Sequence, residues 1–269
     1  MTCAEFASER PILKAEIAGA LGSKLQFVGQ NTLKRELQLN FQLSTFNFQP
    51  LNIAVPILSY AVIAVAAYLL GSIPTGYLAG RARGIDIRAV GSGNMGATNV
   101  FRSLGKTAGV IVLVVDGLKG YVACAWLCDG ALGLMKLPTA DAETYRIIAG
   151  IAAVLGHNFT CWLKFKGGKG IATSAGVYFA LAPLAVGIAM AAFILAVLLT
   201  RYVSIGSITA AIALPTAVWC LPKSNLLLDI VTTALGVMAI YKHRSNIKRL
   251  MAGTESRLGK RLQIPEATK

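Results

Sequence analysis

Charge is scarce in this chain, and acidic and imidazole side chains are scarcest. Of 269 residues, 12 are Asp or Glu, two are His, and charged residues of either sign make up 14%. Soluble domains carry about 25%. The five cysteines, Cys3, Cys124, Cys128, Cys161 and Cys220, lack metal-ligand spacing. Cys124 and Cys128 are spaced like neighbours on a helix, which argues against a zinc knuckle or a disulfide framework. His157 and His243 lie far apart in sequence, so no metal site is implied. The absence of a carboxylate cluster for Mg²⁺ argues against phosphatidyl or sugar-phosphate transfer on that metal. Residues 1–50 hold no apolar run long enough for a signal-peptide core. No internal repeat, low-complexity tract or separate soluble domain is visible.

Long apolar stretches separated by short charged segments fill the rest of the chain. With a mean hydropathy of +0.62, this is the composition of a polytopic helical membrane protein. The formal net charge is +14. In a soluble protein that excess would suggest nucleic acid. Here the basic residues border apolar spans, where the simplest reading is cytoplasmic-loop topology, and no nucleic-acid partner is implied. Two domains are expected: an N-terminal extension, 1–50, of no assignable role, and a single transmembrane domain over 51–269.

The expected fold class is all-α and polytopic, with about seven transmembrane helices and glycine-rich cytoplasmic loops. Spans are predicted near 53–79, 108–128, 145–163, 203–221 and 226–241. The stretch 170–200 would measure roughly 46 Å as one helix at 1.5 Å per residue, against a hydrocarbon core of about 30 Å. Ala182-Pro183 near its middle predicts a break into two segments, as spans or as a re-entrant pair. The loop after the first span carries Arg81, Arg83, Arg88, Arg102 and Lys106 against Asp86, and that after the third carries Lys164, Lys166 and Lys169. The tail carries Lys242, His243, Arg244, Lys248 and Arg249. All three read as cytoplasmic, and only an even number of crossings after Lys169 permits this.

Four segments carry chemistry. The first is Gly91-Ser92-Gly93-Asn94-Met95-Gly96-Ala97-Thr98-Asn99-Val100-Phe101-Arg102. Its glycines permit tight backbone and an anion-binding nest of amides, its short polar side chains add hydrogen bonds, and Arg102 can grip two phosphate oxygens. The second, Lys164-Phe165-Lys166-Gly167-Gly168-Lys169-Gly170-Ile171-Ala172-Thr173, is basic, glycine-rich and opens a helix, as phosphate sites do. His157 lies just before it, where a structural role competes with a catalytic one. The third, Asp116-Gly117-Leu118-Lys119-Gly120, puts an ionisable pair at i, i+3 inside a span, which is either functional or a structural ion pair. The fourth, His243-Arg244-Ser245-Asn246-Ile247-Lys248-Arg249-Leu250, sets His243 and Asn246 on one helix face. A weaker signal is Arg201–Ser207, with Ser204 at a span edge. Together these imply a ligand, or ligands, with more than one phosphate group at the cytoplasmic surface.

With Gly71-Ser72-Ile73-Pro74, these segments resemble the membrane-bound acyl-phosphate:glycerol-3-phosphate acyltransferases of bacteria over roughly residues 53–260. The resemblance implies a seven-helix enzyme of the cell inner membrane, with its active site and C-terminus in the cytoplasm. It implies acyl phosphate and glycerol 3-phosphate as substrates, 1-acylglycerol 3-phosphate and phosphate as products, and no cofactor. An acyl-phosphate-producing enzyme is a candidate partner beside the lipid bilayer. By motif position, Ser92, Arg102, His243 and Asn246 are the catalytic candidates. Gly91, Gly93, Asn94, Thr98, Lys166, Gly167, Gly168, Lys169 and Ser204 are the substrate-binding ones. No His-x4-Asp dyad follows either histidine, and the leaving phosphate is expected to take the hydroxyl proton. The alternative class, a phosphate-ester transporter, would call for inverted repeats and broken midplane helices, and neither is evident.

Overall fold

The computed structural model describes residues 51–222 and 225–259, and the predicted extension 1–50 and the last residues of the tail lie outside them. All regular elements among the described residues are helical. They are α1 (Leu51–Gly71), α2 (Thr75–Arg81), α3 (Ala97–Leu104), α4 (Lys106–Leu134), α5 (Ala142–Asn158), α6 (Ile171–Leu181), α7 (Pro183–Thr200), α8 (Val203–Cys220), α9 (Leu226–Lys242) and α10 (Arg244–Met251). A π-helical turn, Ala123–Leu127, interrupts α4.

Among the described residues, five stretches are long and apolar enough to cross a membrane: Ile57–Arg81, Lys106–Leu134, Ala142–Leu163, Pro183–Thr200 and Val203–Cys220. Leu226–Lys242 with Arg244–Met251, bent by 50°, makes a sixth if the pair is one span. The break predicted at Ala182-Pro183 is present. Ala182 leaves helical geometry at φ −147°, and Pro183 starts α7, where its missing N–H costs nothing. At 11 residues, α6 is about 16 Å long, short of the bilayer core.

Close backbone approach holds the bundle together. A Cβ on Gly71 of α1 would lie 2.1 Å from the Ala153 carbonyl of α5, and one on Gly156 of α5 would lie 2.2 Å from the Tyr68 carbonyl of α1. Each helix thus contributes one glycine where the other's carbonyl presses in, a packing mode suited to lipid, where apolar side chains alone gain little by meeting.

The ionisable pair is buried inside α4. Lys119 Nζ lies 2.8 Å from Asp116 Oδ1, with side chains 4% and 3% exposed. Both reach the break between α1 and α2. Lys119 donates to the Ile73 carbonyl at 3.0 Å, and the Thr75 hydroxyl donates to Asp116 at 2.9 Å. His157 Nδ1 of α5 stands 3.6 Å from the same carboxylate oxygen. The pair therefore fastens three helices where one of them breaks and frees a carbonyl.

Removing one partner strands the other's charge in a low-dielectric interior, a loss of about 3–5 kcal/mol. Lys119→Met should lower the thermal inactivation midpoint in detergent markedly. Adding Asp116→Asn should recover part of the loss, and a double variant no better than the single would count against the ion-pair account.

Candidate functional site

The first glycine-rich loop is folded around one asparagine. Asn99, 2% exposed, accepts from the Ser92 amide and donates to the carbonyls of Ile87 and Val90, each at 3.0 Å. Asn94 turns back to accept from the Gly96 amide at 2.8 Å. Gly91 and Gly93 take positive φ of 61° and 69°, which only glycine adopts freely. The loop delivers Ser92, Asn94 and Thr98 to the wall of a cavity of about 960 Å³. Arg102, one turn along α3, reaches the same wall.

The second loop serves another purpose than its composition suggested. The amides of Gly167 and Gly168 donate to the carbonyls of Asn158 and His157, at 3.2 and 3.0 Å, and so are committed within the chain. A Cβ on Gly168 would sit 2.1 Å from His157 Nε2. These glycines let the loop lie flat on the end of α5. Lys166 points to solvent. Of this segment, Lys169, Gly170, Ile171 and Ala172 line the cavity, and the Lys169 ammonium donates to Asn246 Oδ1.

The tail completes the polar end. Asn246 donates from Nδ2 to Glu255 Oε1 at 2.8 Å, and Arg249 from Nε to Glu255 Oε2 at 2.7 Å. His243 Nδ1 pairs with the Ala239 carbonyl at 2.8 Å. A carbonyl only accepts, so Nδ1 carries the proton and Nε2 keeps its lone pair. Arg102 donates to the Ser256 carbonyl at 2.7 Å. Ser204, His243, Asn246 and Glu255 all line the cavity, as do Asp116 and His157. Of the residues singled out from sequence, Ser92, Asn94, Thr98, Arg102, Asp116, Lys169, Ser204, His243 and Asn246 converge there. Gly91, Gly93, Lys119, Lys166, Gly167 and Gly168 are not among its lining residues.

Two features of the site went unread in the sequence. Glu255, 7% exposed, is one of two carboxylates in a basic tail, and that scarcity was the available signal. The approach of Asp116 to His157 joins positions 41 residues apart and left no local pattern.

Three cations, Arg102, Lys169 and Arg249, face one carboxylate. Burial pushes Glu255 up, yet the bonds from Asn246 and Arg249 and the Arg249 charge outweigh it, and its carboxyl stays below the usual range. Burial, reinforced by the Arg249 and Arg102 charges against the pull of Glu255, lowers the Lys169 ammonium to about 8. Burial lowers Arg102 as well. The mouth is thus short of negative charge. The wall beyond it is apolar, built from residues such as Val110, Leu113, Phe179, Met190 and Phe193.

Residues 61–253 match the family model described as glycerol-3-phosphate acyltransferase. A glycerol-3-phosphate acyltransferase of Geobacter sulfurreducens is 48% identical over 200 residues, covering 74% of this chain and 98% of the relative. One of Synechococcus elongatus is 47% identical over 209 residues, 77% of this chain and 98% of the relative. A crystal structure of PlsY (YgiH), an integral membrane glycerol 3-phosphate acyltransferase in its glycerol 3-phosphate form, superposes with a TM-score of 0.67 at 38% identity, covering 75% of this chain and 96% of that one. The lysophosphatidic acid form superposes at 0.65.

The depressed Lys169 pKa has a definite sign. Below pH 8 the ammonium is charged and attracts an anion. Above it the charge is lost, while a phosphate monoester, whose second pKa is near 6, is already a dianion. Affinity for a phosphate monoester should fall by about tenfold per unit above pH 8, as read from ligand-induced thermal shifts. Lys169→Arg, charged throughout, should flatten the fall, and an unchanged pH profile in that variant would place the titrating group elsewhere.

Proposed function

The chain belongs to the glycerol-3-phosphate acyltransferase family, and from that premise we propose how its site performs the reaction. It is an integral membrane acyltransferase of phospholipid synthesis that transfers a fatty acyl group to glycerol 3-phosphate and yields lysophosphatidic acid. The donor in this reading is an acyl phosphate. One observation carries it: two cations that line the cavity, Arg102 and Lys169, stand with His243 and Asn246 at the polar end of an otherwise apolar chamber. Such a chamber suits two anions, one of them bearing an alkyl chain.

Acyl phosphate is already activated, so catalysis needs chiefly the alignment of two like-charged reactants and the offset of their repulsion. Ser92, Asn94, Thr98 and Arg102 hold the donor phosphate. Lys169, Ser204, His243 and Asn246 hold glycerol 3-phosphate and its reacting hydroxyl. The committed Gly167 and Gly168 amides leave Lys169 as that loop's contribution. The hydroxyl oxygen attacks the acyl carbon, a new C–O ester bond forms, and the bond from that carbon to the phosphate oxygen breaks. The departing phosphate takes the hydroxyl proton. His243 Nε2, with its lone pair free, orients the hydroxyl by accepting that hydrogen beforehand.

Seven crossings, with α6 and α7 counted separately, put the three basic segments on one side, which is the cytoplasm of a bacterial inner membrane by charge asymmetry. The cavity mouth, built from those segments, then opens where glycerol 3-phosphate is dissolved.

The purified protein should release phosphate from palmitoyl phosphate only when glycerol 3-phosphate is supplied. Equal use of palmitoyl-CoA would overturn the donor assignment. Arg102→Lys keeps the charge and loses the planar fork. A charge-assisted hydrogen bond is worth about 1.5–3 kcal/mol, so turnover should fall by roughly 10–150-fold. Arg83→Lys, exposed and away from the cavity, is the control, and equal activity in both variants would leave Arg102 as a topology marker only.

A further inference from the structure

The cavity is closed at its far end by a hydroxyl pair that the transfer chemistry does not use. Tyr178 of α6 and Thr232 of α9, each 1% exposed, both line the cavity. The Tyr178 hydroxyl donates to Thr232 Oγ1 at 2.6 Å, and Thr232 donates in turn to the Leu228 carbonyl at 2.6 Å. Both hydroxyl hydrogens are committed, so the pair has no proton left to donate to a ligand, and the bond to Thr232 holds the Tyr178 ring.

Two helices give the distance from mouth to floor. Thr232 precedes His243 by 11 residues along α9, and Pro215 follows Ser204 by 11 along α8; all four line the cavity. At 1.5 Å per residue each interval is about 16 Å, a depth suited to an extended fatty chain. Val186 of α7, 2% exposed, shares the deep end. One flank is open instead: Leu113, Leu118 and Phe179 line the cavity yet are 52%, 53% and 47% exposed.

We propose that Tyr178, braced by Thr232, is the floor of the acyl subsite and sets the chain length the enzyme transfers best. The inference rests on the reading that the cavity takes an acyl donor. That donor arrives from the bilayer, where its methylenes are already out of water, so the groove gains only packing contacts. A chain too short leaves a void above a rigid floor, and a chain too long meets the tyrosine ring and must turn out through the open flank. The length profile should therefore show a maximum instead of rising steadily.

The experiment measures kcat/KM for acyl phosphates from dodecanoyl to eicosanoyl. Wild-type transfer to glycerol 3-phosphate tests the donor reading alone, and the shape of the profile tests the floor. Tyr178→Val lowers the floor and leaves the Thr232 bond to Leu228 in place. Ala189→Phe, from a lining residue of α7, raises it. The ratio of octadecanoyl to dodecanoyl kcat/KM should rise by about tenfold in the first and fall by about tenfold in the second, the low end of what chain mismatch in an apolar pocket is worth. Ratios equal to wild type in both variants, or shifted in the same direction, would overturn the proposal. If one variant does not accumulate, the sign in the other decides.

Discussion

A salt bridge buried inside a helix long and apolar enough to span a membrane is the constraint on which this structure turns. Asp116 and Lys119 are each costly in a membrane span, and neither would persist there alone. Paired, they recruit what the α1–α2 break leaves unsatisfied, the Ile73 carbonyl and the Thr75 hydroxyl. His157 comes to the same carboxylate, and the next contacts lead outward. Gly168 packs on the His157 ring, and its amide bonds the His157 carbonyl. Asn158 receives the Gly167 amide and the Lys242 ammonium on its carbonyl. Lys169, one residue on, meets Asn246, which meets Glu255. A buried charge pair is weak evidence of net stability. Its effect here is positional, since it sets the end of α5 against which the second loop and the start of the tail are laid.

The mouth is built on the opposite electrostatic principle. Where Asp116 and Lys119 cancel, Arg102, Lys169 and Arg249 are left with Glu255 as their shared counter-charge. Glu255 keeps three like charges together while no anion is present, and it draws Asn246 and Arg249 of α10 toward the tail that follows. The residual positive potential lies at the edge of a wall too apolar to solvate an anion otherwise.

Much of this was legible in the chain because membrane sequences are written in large units. The break at Ala182-Pro183 could be read because proline dictates backbone geometry locally, and the first loop because Gly91 and Gly93 occupy φ values that other residues avoid. The span count was less legible. α6 is apolar but short, and length and hydropathy alone do not say whether such a helix crosses. The second loop shows a deeper limit. Glycine in a loop announces that something comes close, but not what. At Gly167 and Gly168 the close object is the end of α5, where phosphate had been expected. The Asp116–His157 and Arg249–Glu255 contacts depend on helix packing and on a tail folding back, and no spacing rule encodes either.

Under the proposed function, the half-exposed flank of the cavity at Leu113, Leu118 and Phe179 means that the two substrates are counted in different units. Glycerol 3-phosphate reaches the mouth from water, and its supply is a molarity. The alkyl-bearing reactant slides in from the bilayer, and its supply is a mole fraction of the surrounding lipid. Diluting the suspension changes the first and leaves the second untouched, whereas adding inert phospholipid does the reverse. The enzyme therefore answers separately to the aqueous supply of its small substrate and to the composition of the membrane that it is helping to build.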